Sequence, residues 1–113
     1  MSYLFSTTAN AFTFTLAPST PTLIVGFNAN RRSLLLQVNG TNPATFKFQS
    51  PNSSAVDGFC LDGASATGGE GGSLLLAWDS EEMTECCPVD AVYAYSTLGT
   101  SVTCLEGTVA EFL

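Results

Sequence analysis

The chain has 113 residues, of which 45% are hydrophobic and 12% charged, and its formal net charge is −7. Such a chain is too hydrophobic and too weakly charged to be disordered, and it is long enough for one domain with its own core. The three basic residues argue against nucleic acid and against an anionic membrane surface as partners.

The N-terminal segment is apolar but lacks the pattern of a secretory signal. No basic residue precedes its apolar side chains, which alternate with Ser and Thr. No apolar run approaches the roughly 18 residues that a membrane-spanning helix needs. We therefore expect the chain to be made and folded in a cytoplasm.

Both ends of the chain carry apolar residues that are candidates for contact with a partner. Residues 1–10 form a predicted docking arm, and residues 106–113 form a predicted apolar C-terminal tail. The alternative is that both ends cover the same domain. The candidate contact residues at the two ends are Tyr3, Leu4, Phe5, Phe112 and Leu113.

Seven or eight short segments are predicted to be β-strands, because apolar residues alternate or run together between clusters of Gly, Pro, Asn and Ser. Good helix-forming material is scarce. The pattern predicts one all-β domain over residues 1–113, a β-sandwich of jelly-roll type. The predicted strands are 11–16, 22–27, 33–38, 44–48, 59–61, 73–78, 91–96 and 101–105.

The chain is organised around residues 31–48, which are predicted to form a β-hairpin. The strand 33–38 is almost entirely aliphatic, so it is expected at the centre of a sheet. Asn39-Gly40 tolerates positive φ, as a tight hairpin turn requires. A second hairpin is predicted between 91–96 and 101–105. The predicted core residues are Leu34, Leu36, Val38, Phe46, Phe48, Leu74, Leu76 and Val92.

The sequence offers little for catalysis or for metal binding. It contains no His, which removes the commonest general base and the commonest metal ligand. Asp62, Glu70 and Asp79 flank a glycine-rich loop, but they lack the spacing of an EF-hand calcium site. We predict no enzyme activity, metal or cofactor. The acidic cluster Glu81, Glu82, Glu85 and Asp90 is interpreted as a solvated loop face.

The four cysteines leave two alternatives open. C-x₂₋₄-C pairs of the kind that bind structural zinc are absent. Cys60 could form a disulfide with Cys86 or Cys87 if the mature protein resides outside a cell, whereas in a cytoplasm buried thiols are expected. For Cys104, which lies on a predicted strand, a buried thiol is preferred.

Several segments resemble small β-rich virion proteins of tailed bacteriophages. The similarity covers roughly residues 28–107 and is carried by turns and strands, with no active-site residue among them. Its motifs are Asn30-Arg31-Arg32-Ser33 running into Asn39-Gly40-Thr41-Asn42-Pro43, then Gly71-Gly72-Ser73-Leu74, Ala91-Val92-Tyr93-Ala94 and Val102-Thr103-Cys104-Leu105-Glu106-Gly107.

The resemblance implies a structural role: decoration, or cementing, of a phage capsid from its outer surface. The expected partner is then the major capsid protein, the expected location is the virion, and a homotrimer would match local three-fold symmetry. Arg31 and Arg32 would meet capsid carboxylates or protect a sheet edge.

Two other functional classes remain alternatives. A fibre module that binds a receptor or carbohydrate would use Trp78, Tyr93 and Tyr95 as stacking platforms, although all three also suit packing in a sheet. A small glycan hydrolase would need a pair of carboxylates with separated pKa values, for which the sequence gives no sign.

Overall fold

The computed structural model describes residues 6–51, 54–64, 71–77 and 87–109, and these ranges form eight strands. They contain no helix that is long and apolar enough to cross a membrane. The strands are β1 (Ser6–Leu16), β2 (Thr22–Val25), β3 (Arg31–Val38), β4 (Ala44–Phe48), β5 (Phe59–Leu61), β6 (Ser73–Ala77), β7 (Val92–Tyr95) and β8 (Thr100–Val109).

The strands form two four-stranded antiparallel sheets. The first sheet has the order β1-β8-β3-β6, and the second has the order β2-β7-β4-β5. The longest ladder joins β1 to β8 from Ser6↔Val109 to Leu16↔Thr100. The prediction of an all-β sandwich is therefore confirmed.

The core lies between the two sheets and follows the two-residue period of the strands. Leu34, Leu36 and Val38 on β3 are fully buried, while the intervening residues point to the opposite face. Phe46 and Val92 on the second sheet belong to the same buried cluster. Of the predicted core residues, these five are fully buried, and Phe48 and Leu76 pack against them partly buried. Leu74 is also partly buried.

Both predicted hairpins are wrong. Adjacent strands β3 and β4 belong to different sheets, and so do β7 and β8. β3 is a central strand, as predicted, but its neighbours are β8 and β6. The short connections 39–43 and 96–99 therefore cross from one sheet to the other instead of turning back within a sheet.

The crossing at Asn39-Gly40 explains why a hairpin signal appears there. The backbone N–H groups of Asn39 and Gly40 both donate to the carbonyl of Ser101, at 2.8 and 3.1 Å. A Cβ on Gly40 would collide with the Thr100 hydroxyl and lie 2.8 Å from the Ser101 nitrogen. Glycine is therefore required at position 40 because a side chain would prevent the close approach to β8. In the other crossing a glycine is favoured for a different reason, since Gly99 has a positive φ of 84°.

The predicted arm and tail are partly strand. Residues 6–10 belong to β1 and residues 106–109 to β8, and the two segments pair with each other. This pairing shortens both candidate docking segments. The rest of each, residues 1–5 and 110–113 with Tyr3, Leu4, Phe5, Phe112 and Leu113, lies outside the described residues.

Candidate functional site

Arg31 is fully buried and holds one end of the sandwich together. Its Nε donates to Glu106 Oε2 at 2.7 Å, and Nη1 donates to the carbonyls of Pro88 and Asp90 at 2.9 and 2.8 Å. Nη2 donates to the carbonyl of Gly26 at 2.7 Å. These contacts join β3, β8 and two loops, which corrects the prediction that Arg31 meets a partner at the surface.

The other two basic residues also make contacts within the chain. Arg32 is partly buried, and its Nη1 donates to the carbonyl of Arg31 at 3.0 Å. Lys47 Nζ lies 2.9 Å from Asp57 Oδ1, in a partly exposed ion pair. Surface pairs of this kind contribute about 0–1 kcal/mol. The positive charge is therefore largely matched internally.

The three described cysteines have different environments. Cys60 lies exposed on β5 with a free thiol, and Cys104 is buried. Cys87 is buried, and its Sγ donates to the carbonyl of Pro88. A Cys60–Cys87 disulfide is therefore not formed, and Cys86 lies outside the described residues. The prediction of a buried thiol at Cys104 is confirmed.

The environment of Cys104 suppresses its reactivity. Burial, together with the nearby charge of Glu106, raises the pKa of the Cys104 thiol from 9.0 to about 11, and Arg31 opposes the shift. Because the thiolate is the reactive form, this thiol is inert near neutral pH. Cys60 is consequently the accessible sulfur among the described cysteines.

The described residues provide no cluster of His, Cys, Asp or Glu that could hold a metal ion. Of the acidic residues considered for calcium, Asp62 is described and exposed, while Glu70 and Asp79 lie outside the described ranges. The loop residues Glu81, Glu82 and Glu85 also lie outside them.

An apolar groove of about 250 Å³ lies on the outer side of the second sheet. Tyr95 and Thr45 are buried in its wall, and Leu98 is exposed at its rim. The loop after β4 covers this side of the sheet, since Thr45 Oγ1 donates to the carbonyl of Ala55 at 2.8 Å. Of the candidate stacking aromatics, Tyr95 is thus buried and Tyr93 is partly buried. Trp78 lies outside the described residues.

The outer edge of β1 is the longest strand edge that the described residues leave without a neighbour. β1 has 11 residues, whereas the other edge strands β2, β5 and β6 have 4, 3 and 5. Its sequence, Ser-Thr-Thr-Ala-Asn-Ala-Phe-Thr-Phe-Thr-Leu, contains neither a charged residue nor proline. Short length, charge and proline are three of the usual protections against edge-to-edge pairing, and β1 has none of these three; its ladder to β8 is irregular only between Ser6 and Thr8.

No protein-family model matches the sequence, and no curated protein matches it either. Among solved structures, the chain is similar to a subunit from a study reporting that Bacillus endospore appendages form a novel family of disulfide-linked pili. The TM-score is 0.53 at 16% sequence identity, and the match covers 97% of this chain and 92% of the other. The similarity is one of fold. None of these comparisons bears on phage virion proteins, so that resemblance stays a prediction.

Proposed function

We propose that this chain is a structural subunit that assembles with other copies of itself into an extended polymer, and that no residue in it has a catalytic role. The observation that carries the proposal is the long, uncharged outer edge of β1, beside which no described strand lies. A row of unpaired backbone N–H and C=O groups is a template for another strand, and an uncharged edge does not repel one.

The strand directions in the first sheet suit a repeating contact. β1 is antiparallel to β8, β8 to β3, and β3 to β6, so β6 runs opposite to β1. A copy displaced along the sheet would therefore place its β6 antiparallel to β1 and continue the alternation. Such a head-to-tail contact does not close on itself and generates a filament.

The similarity to the pilus subunit supports the same proposal. It extends over nearly the whole of both chains, so the fold is one on which a pilus can be built. Those pili are described as disulfide-linked. If this chain is linked in the same way, exposed Cys60 is the candidate among the described cysteines, since Cys104 is buried. Two Cys60 thiols from neighbouring copies would lose two protons and two electrons to an oxidant such as molecular oxygen, and the disulfide would join the copies in pairs. Covalent dimers would then persist in denaturant without reductant, and Cys60→Ser would abolish them.

We also propose the finer fold assignment of a jelly roll. Eight strands in two four-stranded sheets, ordered β1-β8-β3-β6 and β2-β7-β4-β5, are what two nested Greek keys produce. The crossings at 39–43 and 96–99 support this assignment, because each carries the chain between the sheets.

Capsid decoration is the second candidate function. It is favoured by the sequence resemblance over residues 28–107, and it predicts a homotrimer on the virion surface with the major capsid protein as partner. It differs from the first proposal in what the purified chain does alone. A decoration protein remains a small oligomer and binds purified capsids, whereas a polymer subunit forms filaments without them.

The edge proposal is tested by placing a charge on β1 without altering the outer face of its sheet. Phe12 pairs with buried Cys104 across the ladder, so its side chain is on the inner side, where it is 40% exposed. An inward lysine on an edge strand blocks pairing. We expect wild-type filaments in electron micrographs and none from Phe12→Lys.

The matched control is Phe27→Lys, because Phe27 is 66% exposed in the loop between β2 and β3. This variant should form filaments like the wild type, and circular dichroism should show both variants folded. Filaments from folded Phe12→Lys would contradict the proposed edge contact. A wild-type chain that stays a trimer and binds capsids would support decoration instead.

A further inference from the structure

The outer face of the first sheet carries an apolar row that crosses all four strands. The ladders align Ala11 of β1 with Leu105 of β8, Leu105 with Leu35 of β3, and Leu35 with Leu75 of β6. Leu75 is 64% exposed and Leu105 is 36% exposed. This row therefore lies on the face that points away from the core.

The rows beside the leucines are small and polar but uncharged. Thr13, Thr103, Gln37 and Ser73 are aligned on one side, and the hydroxyls of Thr13 and Thr103 lie 3.2 Å apart. Ser33 and Gly107 are aligned on the other side. Among the described residues of this face, which we call the leucine face, none is acidic, and the basic residue nearest to it in sequence is Arg32, at the register shift beside Ser33.

The second sheet differs on its outer side. Its central strand β4 presents Lys47 there, paired with Asp57 from the loop that crosses the same side. Arg31 and Glu106 of the first sheet point inward and are buried. The carboxylates of this chain, whose net charge is −7, are therefore unevenly distributed, and none of the described ones lies on the leucine face.

We propose that the leucine face is the surface on which two copies of this chain stack, face to face. Two copies with a net charge of −7 repel each other wherever carboxylates are opposed, and the leucine face is where they can meet without opposing any described carboxylate. A two-fold contact of this face with itself matches leucine row to leucine row, with the threonine and glutamine rows able to hydrogen-bond around it.

The size of the face sets the strength of the contact. Four strands about 4.8 Å apart and about seven residues long give roughly 450 Å², against about 800 Å² per partner in a standard interface. Stacking alone is therefore weak. It becomes strong when many copies are already joined along their edges, because the contacts then act together. The inference therefore rests on the proposed polymer. In that polymer, stacking of the leucine faces would join two filaments side by side.

The test separates the two contacts by working in the Phe12→Lys variant, where the edge is blocked. Sedimentation equilibrium up to about millimolar concentration should show a monomer–dimer equilibrium. Adding Leu105→Glu places two carboxylates in the stacked interface and should weaken dimerisation at least about tenfold. Adding Leu105→Lys should do the same, and an equimolar mixture of the two variants should recover the dimer.

The matched control is Leu23→Glu, since Leu23 is 49% exposed on β2 of the other sheet. It should dimerise like its Phe12→Lys parent. A Leu105→Glu variant that dimerises as tightly as its parent would overturn the stacking proposal and leave the filament proposal standing. A parent that remains monomeric at millimolar concentration would overturn it as well. If wild-type chains form no filaments while the Phe12→Lys variant still dimerises, the result contradicts the edge contact and supports the stacking contact.

Discussion

At the scale of single residues, Arg31 shows how a pattern can mislead about exposure. Two adjacent arginines at the start of a strand suggest a cationic surface, and the sequence gives no sign that one of them enters the core. Three of the side-chain partners of Arg31, namely Pro88, Asp90 and Glu106, lie 57, 59 and 75 residues away in sequence, whereas Gly26 is five residues away. Burial of a charge at this position depends on tertiary structure, so it could not be predicted locally.

Removing one partner of this pair should be costly. Arg31→Met leaves the Glu106 carboxylate buried without its cation and deprives three carbonyls of donors. Breaking a buried pair in this way costs about 3–5 kcal/mol. We expect a loss of that order in the free energy of unfolding, measured by urea denaturation. Arg31→Met with Glu106→Leu should recover part of it, and a single variant within about 1 kcal/mol of wild type would contradict the structural role.

Cys104 predicts a dependence of stability on alkaline pH. Its folded pKa is about 11, compared with 9.0 for an ordinary thiol. Above pH 9 the unfolded chain loses this proton while the folded chain keeps it, so the unfolded state is favoured increasingly until about pH 11. The free energy of unfolding should therefore fall more steeply between these pH values in wild type than in Cys104→Ala. Equal slopes in the two proteins would contradict the burial of this thiol.

At the scale of elements, the positions of the strands were predictable and their partners were not. Alternation in β1 and the apolar runs in β3 and β6 reflect faces that must be buried, and this information is local. β4 and β5 begin and end where predicted. Pairing depends on whether a short connection turns back or crosses between sheets. Asn39-Gly40 suits both, which is why the predicted hairpins were wrong.

Gly40 offers a test of the crossing. A Cβ at this position would overlap the Thr100 side chain and the Ser101 backbone, so Gly40→Ala should destabilise the fold by about 1–3 kcal/mol. Gly26→Ala is the matched control, because a Cβ there meets nothing within 4 Å. Thermal denaturation of both variants measures the difference. Equal melting temperatures would contradict the close approach of the 39–43 connection to β8.

At the scale of the whole molecule, charge and fold determine how copies can meet. The chain has a net charge of −7, yet neither proposed contact, the β1 edge or the leucine face, includes a described acidic residue. The proposed leucine face could not be predicted from the sequence, because Leu35, Leu75 and Leu105 come together on one face only after the strands have paired.

This arrangement predicts that salt promotes assembly. Repulsion between like-charged copies extends over about 30 Å at 0.01 M ionic strength and about 10 Å at 0.1 M. Raising the salt concentration removes the repulsion without weakening uncharged contacts. Light scattering should therefore show more assembly at about 0.5 M than at about 0.01 M sodium chloride. Assembly that weakens with salt would indicate that the contacts are made by charged groups.

The central claim is that the outer edge of β1 pairs with a strand of another copy, and amide hydrogen exchange tests it most directly. Half of the β1 amides point toward β8 and half point outward. In assembled protein we expect the outward amides of residues 6–16 to become protected relative to the Phe12→Lys subunit. The amides of central strand β8 should be protected equally in both. Assembled protein in which the outward β1 amides still exchange as rapidly as in the subunit would contradict the claim.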